Sequence, residues 1–144
     1  MQDEHDSRSR WNSEAGFFDD EAQNSLAKIR PVLPEALRRY GVLRRSLWSK
    51  EYRFRLLGDL SGLRVLDVGC GDGANSVLLA TLGAVVTGLD ISPAAIRVAE
   101  YRAQINGVEE RTRFICSPLE LVDLENESFD KMHAPWLADV PALV

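Results

Sequence analysis

The sequence predicts an α/β protein: a partial, Rossmann-like doubly wound parallel sheet in strand order 3-2-1-4, preceded by N-terminal helices. Three observations carry that prediction. From Leu63 onward, short apolar runs alternate with helical stretches, the order that right-handed crossovers wind into a parallel sheet. A glycine-rich turn follows the first run directly, in Val65-Leu66-Asp67-Val68-Gly69-Cys70-Gly71-Asp72-Gly73. A carboxylate, Asp90, closes the second run 21 residues after Gly69.

Each element has its own signal. Residues 1–16 are polar and read as a flexible N-terminus. Residues 17–62 read as a helical cap. Its first helix runs from Phe17 to Ile29 and is stopped by Pro31 and Pro34, which do not fit a helix interior. Its second runs from about Val42 to Leu57, with Leu43, Leu47, Phe54 and Leu57 at near-helical spacing, and Gly58–Gly62 is a turn. Residues 63–144 form the sheet domain. Leu63–Val68 is its first strand, and Ala74–Leu82 is a helix with Asp72 as N-cap and Gly83 ending it. Val85–Leu89 is the second strand. Ser92-Pro93 opens the next helix with a capping hydroxyl and a proline in the first helical position, and Asn106-Gly107 closes it. Thr112–Cys116 is the third strand, 124–128 is loop, and Phe129-Asp130 opens a fourth.

Bulk properties narrow the class. A chain of 144 residues with 45% apolar and 27% charged residues has the size and composition of one globular domain. A net charge of −5 argues against general nucleic-acid binding. Residues 38–64 are nevertheless basic, with eight Lys and Arg against Glu51 and Asp59. Interleaved Tyr40, Trp48, Tyr52 and Phe54 admit an RNA or anionic-substrate reading, but a solvated helix with its aromatics turned inward is favoured. The apolar runs are too short and interrupted for a membrane span, and no leader segment is visible, so a cytoplasmic protein is expected. Two cysteines, Cys70 and Cys116, suggest neither a disulfide framework nor a metal site.

In an open parallel sheet the ligand lies at the carboxyl ends of the strands, where the 69–73 loop and Asp90 both sit. A carboxylate at about a 20-residue spacing suits a vicinal ribose diol. Gly69, Gly71 and Ala74 also satisfy the dinucleotide pattern G-x-G-x-x-G/A, so an NAD-dependent oxidoreductase is the rival reading. Asp67 separates the two. A carboxylate two residues before the first glycine repels a pyrophosphate and attracts a sulfonium and an ammonium. S-adenosylmethionine carries adenine, ribose, sulfonium, ammonium and a carboxylate that the amides of a helix start can take.

Asp67-x-Gly69-x-Gly71-x-Gly73, followed by GAVVTGLDISPAAIRVAE at 83–100, resembles the class I S-adenosylmethionine-dependent methyltransferases of the small-molecule type, over roughly Leu63 to Asp130. The resemblance implies that Asp67 and the backbone at Gly69, Cys70 and Gly71 face the methionine portion. It further implies that Asp90 binds the ribose and that Ile91 packs on the adenine. In the family's third motif an Asp touches the adenine amino group. Pro118 stands in that place here, leaving the Leu119 amide with Ser117 or Glu120 for the role. The N-terminal helices of such enzymes often cap the cofactor cleft, which would make Trp48 or Tyr52 lid residues.

Methyl transfer from a sulfonium chiefly needs alignment and exclusion of water; a general base is required only where the acceptor must lose a proton. No base stands out. His133, past the expected fourth strand, reads as an ordinary surface side chain, and Cys70 as packing rather than a nucleophile. Beyond Asp130 the resemblance weakens, with Lys131 and Pro135 where a buried strand is expected. The reading is therefore a methyltransferase, incomplete or weakly active, acting on an unidentified small molecule. A non-catalytic cofactor-binding partner is the third reading, and the unpaired edge of the fourth strand invites self-association or a partner chain.

Overall fold

The computed structural model describes residues 2–41, 49–124 and 129–134. The expected helical start at 42–48, the loop residues 125–128 and the segment from Pro135 on lie outside them, as do Trp48 and the side chain of Tyr52. Three helices come first: α1 (Gln2–Leu26), α2 (Pro34–Gly41) and α3 (Ser49–Leu57). The sheet domain follows as β1 (Arg64–Val68), α4 (Ala74–Thr81), β2 (Val85–Asp90), α5 (Pro93–Ile105), β3 (Thr112–Cys116) and β4 (Lys131–His133). A single turn of 3-10 helix at Glu109–Arg111 leads into β3.

All pairings are parallel and the order is β3-β2-β1-β4, as the sequence predicts. Both crossovers, β1 to β2 and β2 to β3, step the same way across the sheet. Right-handedness therefore sets α4 and α5 on one face. Val65, Leu66 and Val68 of β1 and Val86 and Leu89 of β2 are buried, consistent with strands covered on both sides. The main core gathers Val65 and Val86 with Val77, Leu78 and Leu79 of α4 and Phe54 of α3. A second cluster joins Ala22 and Ile29 of the N-terminal region to Ala94, Ala95 and Val98 of α5. Alanines on α5 let the helices approach closely there.

Helix α1 starts at Gln2, well before Phe17 where the sequence suggests a beginning. The reason is a weak stripe hidden in a polar segment. Trp11, Ala15 and Asp19 are half-buried and Ala22 is buried, at steps of three or four, while Asn12, Ser13 and Gly16 face solvent. Pro34 opens α2 instead of merely ending α1, in the first helical position that proline tolerates. Strand β4 starts at Lys131. Asp130 staples it to β1: its N–H donates to the Arg64 carbonyl at 2.8 Å, and its carboxylate accepts the Arg64 N–H at 2.7 Å.

Candidate functional site

The loop after β1 is shaped by its glycines and pinned from two sides. Gly71 and Gly73 have φ of 54° and 75°, backbone that side chains rarely adopt. Gly73 also has no room for one, since a Cβ there would lie 2.6 Å from the Ala99 Cβ of α5. Gly73, not Asp72, occupies the N-cap position of α4, with no side-chain cap. The Asp72 carboxylate instead reaches the Ala74 N–H at 3.2 Å. The expected cap is displaced by one residue because the close approach of α5 demands glycine at the helix entrance.

On the strand side, the amides of Gly69 and Cys70 both donate to the Leu89 carbonyl at the end of β2, at 2.8 and 3.0 Å. Asp90 then uses one oxygen for the Gly71 N–H at 2.8 Å and the other for the Ser92 N–H at 3.0 Å. Each carboxylate oxygen keeps a further acceptor site, so the group is aimed without being saturated. On the helix side, Arg102 of α5 donates from Nε to the Asp72 carbonyl at 2.9 Å and from Nη2 to its carboxylate at 2.6 Å. Sequence reasoning missed Arg102, because nothing in its own segment marks it.

Beneath the loop lies a buried polar network. Asp67 is fully buried, accepting from Ser76 Oγ at 2.5 Å and facing His133 Nδ1 at 2.8 Å. With a carboxylate as acceptor, Nδ1 carries the proton of that bond. His133 is therefore not a surface side chain: it is 4% exposed, its ring edge against Phe54, and it ties β4 to β1. The expectation failed because its partner stands 66 positions away.

A cleft of about 770 Å³ opens above the carboxyl ends of the strands. Gly69, Cys70, Gly71, Asp90, Ile91, Ser117 and Leu119 all line it, so seven of the eight residues singled out from the sequence converge. Asp67 is not on the lining but is buried beneath the loop. Ser117 has its donors committed, the amide to the Asp90 carbonyl at 2.9 Å and the hydroxyl to the Pro118 carbonyl at 3.0 Å. Glu120 lines the cleft as well. So does Asn75 on the first turn of α4, whose Oδ1 is buried and without a hydrogen-bond partner among the described residues. An orphan acceptor at that place fits a ligand's ammonium.

The other wall is α1, through Arg10, Trp11, Glu14, Phe18 and Glu21. Its hold on the domain is Asp19, which accepts from the Ser92 hydroxyl and, at 3.0 Å, from the Ala94 N–H at the start of α5. Those bonds hold the Asp19 carboxyl below the usual range against a smaller opposing effect of burial, with a minor contribution from Arg97. Ser92 meanwhile caps the helix, as predicted, by accepting from Ala95 N at 3.0 Å. The stretch from Arg10 to Phe18 thus reaches over the cleft.

Cys70 is buried within the loop. Its thiol is pushed far up in pKa, first by burial and then by the charges of Asp67, Asp90 and Asp72. Asp67 beneath the loop and Asp90 beside it disfavour a pyrophosphate and favour a cation, whereas Asp72 is paired with Arg102. Among the described residues no cluster of His, Cys, Asp and Glu could hold a metal ion. No helix among them is long and apolar enough to cross a membrane.

A family model described as "Methyltransferase domain" matches residues 59–143, more than half of the chain. Among curated proteins, the ubiquinone biosynthesis O-methyltransferase of Alkalilimnicola ehrlichii is 44% identical over 80 residues, covering 56% of this chain and 32% of its own length. The same-named protein of Nitrosococcus oceani is 33% identical over 132 residues, 77% of this chain and 56% of its own. The chain thus spans between about a third and just over half of these relatives. Among solved structures, the YcgJ protein of Bacillus subtilis superposes with a TM-score of 0.51 at 28% identity, over 56% of this chain and 34% of that one. A protein-L-isoaspartate O-methyltransferase shares the fold, with a TM-score of 0.52 at 21% identity over 58% of this chain and 27% of the other.

Proposed function

The chain belongs to the methyltransferase-domain family, as a class I, S-adenosylmethionine-dependent member, and from that premise we propose that it passes a methyl group to a small-molecule acceptor. The observation that carries the reading is the placing of two carboxylates at the glycine loop, Asp90 on the Gly71 N–H at its rim and Asp67 buried beneath it. Asp90 offers its free acceptor sites to the ribose diol, and the backbone of Gly69, Cys70 and Gly71 borders the methionine portion. Ile91 packs on the adenine, with Ser117 and Leu119 at its edge. Asn75 Oδ1 takes the ammonium, and Asp67 supplies negative charge from below.

When bound, S-adenosylmethionine supplies an activated methyl on a sulfonium. The chain's own residues bind, orient and exclude water. The overhang of α1, with Trp11 and Phe18, screens the cleft from solvent. No residue of the site is assigned as a general base. His133, buried against Asp67, serves to position that carboxylate.

The stretch matched by the family model carries the glycine loop and Asp90, and the acceptor is proposed only at the level of a small molecule. Both cysteines are unpaired, which suits a reducing compartment, and we place the protein in the cytoplasm. The direct test incubates the chain with methyl-labelled S-adenosylmethionine and a small-molecule extract. Label should move into the small-molecule fraction and should fall sharply with Asp90→Ala. Cofactor binding with no transfer to any fraction would instead support a non-catalytic binding partner.

A further inference from the structure

Arg102 does not touch the cleft, yet it holds the one loop carboxylate that stands at the entrance of α4. We propose that Arg102 is a positioning residue that selects ligands bearing an amino-acid carboxylate, by neutralising Asp72 at that helix start. The inference rests on the cofactor reading above.

The geometry is specific. Arg102 Nη2 lies 2.6 Å from Asp72 Oδ2 and Nε lies 2.9 Å from the Asp72 carbonyl, so the guanidinium grips both backbone and side chain. The pair is largely shielded, at 15% and 30% side-chain exposure, so solvent and salt screen it less than a surface pair. One turn earlier on the same helix, Ala99 presses on Gly73 too closely for any Cβ. Arg102 is itself held from behind: its carbonyl accepts from Asn106 Nδ2 at 2.8 Å, and Asn106 Oδ1 accepts the Val32 N–H at 2.7 Å. The start of α4 and its neighbour Asn75 line the cleft, whereas Arg102 does not.

Charge logic gives the role. The first turn of α4 is the positive end of its dipole, the natural seat for a ligand carboxylate. Asp72 is the carboxylate already there, reaching the Ala74 amide. Left uncompensated, it would compete for that end and repel an incoming carboxylate. Paired with Arg102, it keeps the loop in shape and cedes the electrostatic advantage to the ligand. A role confined to folding would affect all adenosine ligands alike. A role in charge selection affects only those that carry the carboxylate.

The test is calorimetric titration of the full chain with S-adenosylhomocysteine and with its decarboxylated analogue, which keeps the ammonium and lacks only the carboxylate. Arg102→Met should weaken the first by about tenfold and the second by less than about twofold. Adding Asp72→Asn to that variant should recover most of the loss, because no charge then needs neutralising. Arg102→Gln keeps a donor for the Asp72 carbonyl but not the charge; it should show the same ligand-selective loss and serves if the methionine variant does not fold. Equal weakening of both ligands, or no recovery in the double variant, would overturn the inference. If the unaltered chain binds neither ligand, the cofactor reading fails instead.

Discussion

Asp90 has two jobs with one carboxylate. It fixes Gly71 and Ser92 through their amides, and it faces the cleft with acceptor sites to spare. Asp90→Ala should weaken S-adenosylhomocysteine binding by about 1–3 kcal/mol, from charge-assisted hydrogen bonds lost, in a calorimetric titration. Unchanged affinity would remove Asp90 from the site. Gly88 makes a contrasting case, a residue whose only contribution is absence. A Cβ there would stand 2.6 Å from the Phe114 ring and 3.0 Å from Cys70 Sγ. Gly88→Ala should therefore cost about 1–3 kcal/mol of stability by overpacking, read as a lower midpoint in chemical denaturation. These residues also show what the sequence disclosed. The glycines and Asp90 were legible because their spacing along the chain is itself the signal. Arg102, Asp19 and His133 were not, since their partners lie 30, 73 and 66 positions away and no local pattern marks them.

Among the elements, the strands and their crossover helices followed from apolar runs, caps and proline placement. β3 is observed at the predicted Thr112–Cys116. Helix α1 was only half visible, because its inward stripe is interrupted by Asp19, whose partners belong to another element. That helix supplies one wall of the cleft and is anchored by Asp19 at the start of α5. The Asp19 carboxyl is held low in the folded chain by the Ser92 hydroxyl and the Ala94 amide. Unfolded, the same group binds a proton more readily, so its contribution is full above the unfolded carboxyl's pKa. It is lost as pH falls through the folded value. Thermal melts of the unaltered chain and of Asp19→Asn should thus separate near neutral pH and converge in acid. A gap independent of pH would show that Asp19 anchors α1 without its charge.

Across the whole molecule, polar contacts between distant parts of the chain converge on the turn after β1. Asp90 secures it from the strand side, Arg102 from the helix side, and the Asp67–His133 pair from below. The cofactor class was therefore readable from one 28-residue neighbourhood, Leu63–Asp90, and the fold order from the runs that follow it, whereas the supports around the loop were not. The sheet has a cost of its own. Among the described residues, β4 pairs with β1 on one side only, and Met132 is 58% exposed. An edge left open in this way is where the self-association expected from the sequence would occur. Sedimentation across a dilution series should show a mass that rises with concentration, and a constant monomer mass would contradict it. The central claim, that carboxylates turn the glycine loop into a pocket for a sulfonium cofactor instead of a pyrophosphate, meets its most direct test in calorimetry of the unaltered chain with S-adenosylmethionine and with NAD. The account predicts saturable binding of the first and none of the second at the same concentrations. Preferential binding of NAD would contradict it.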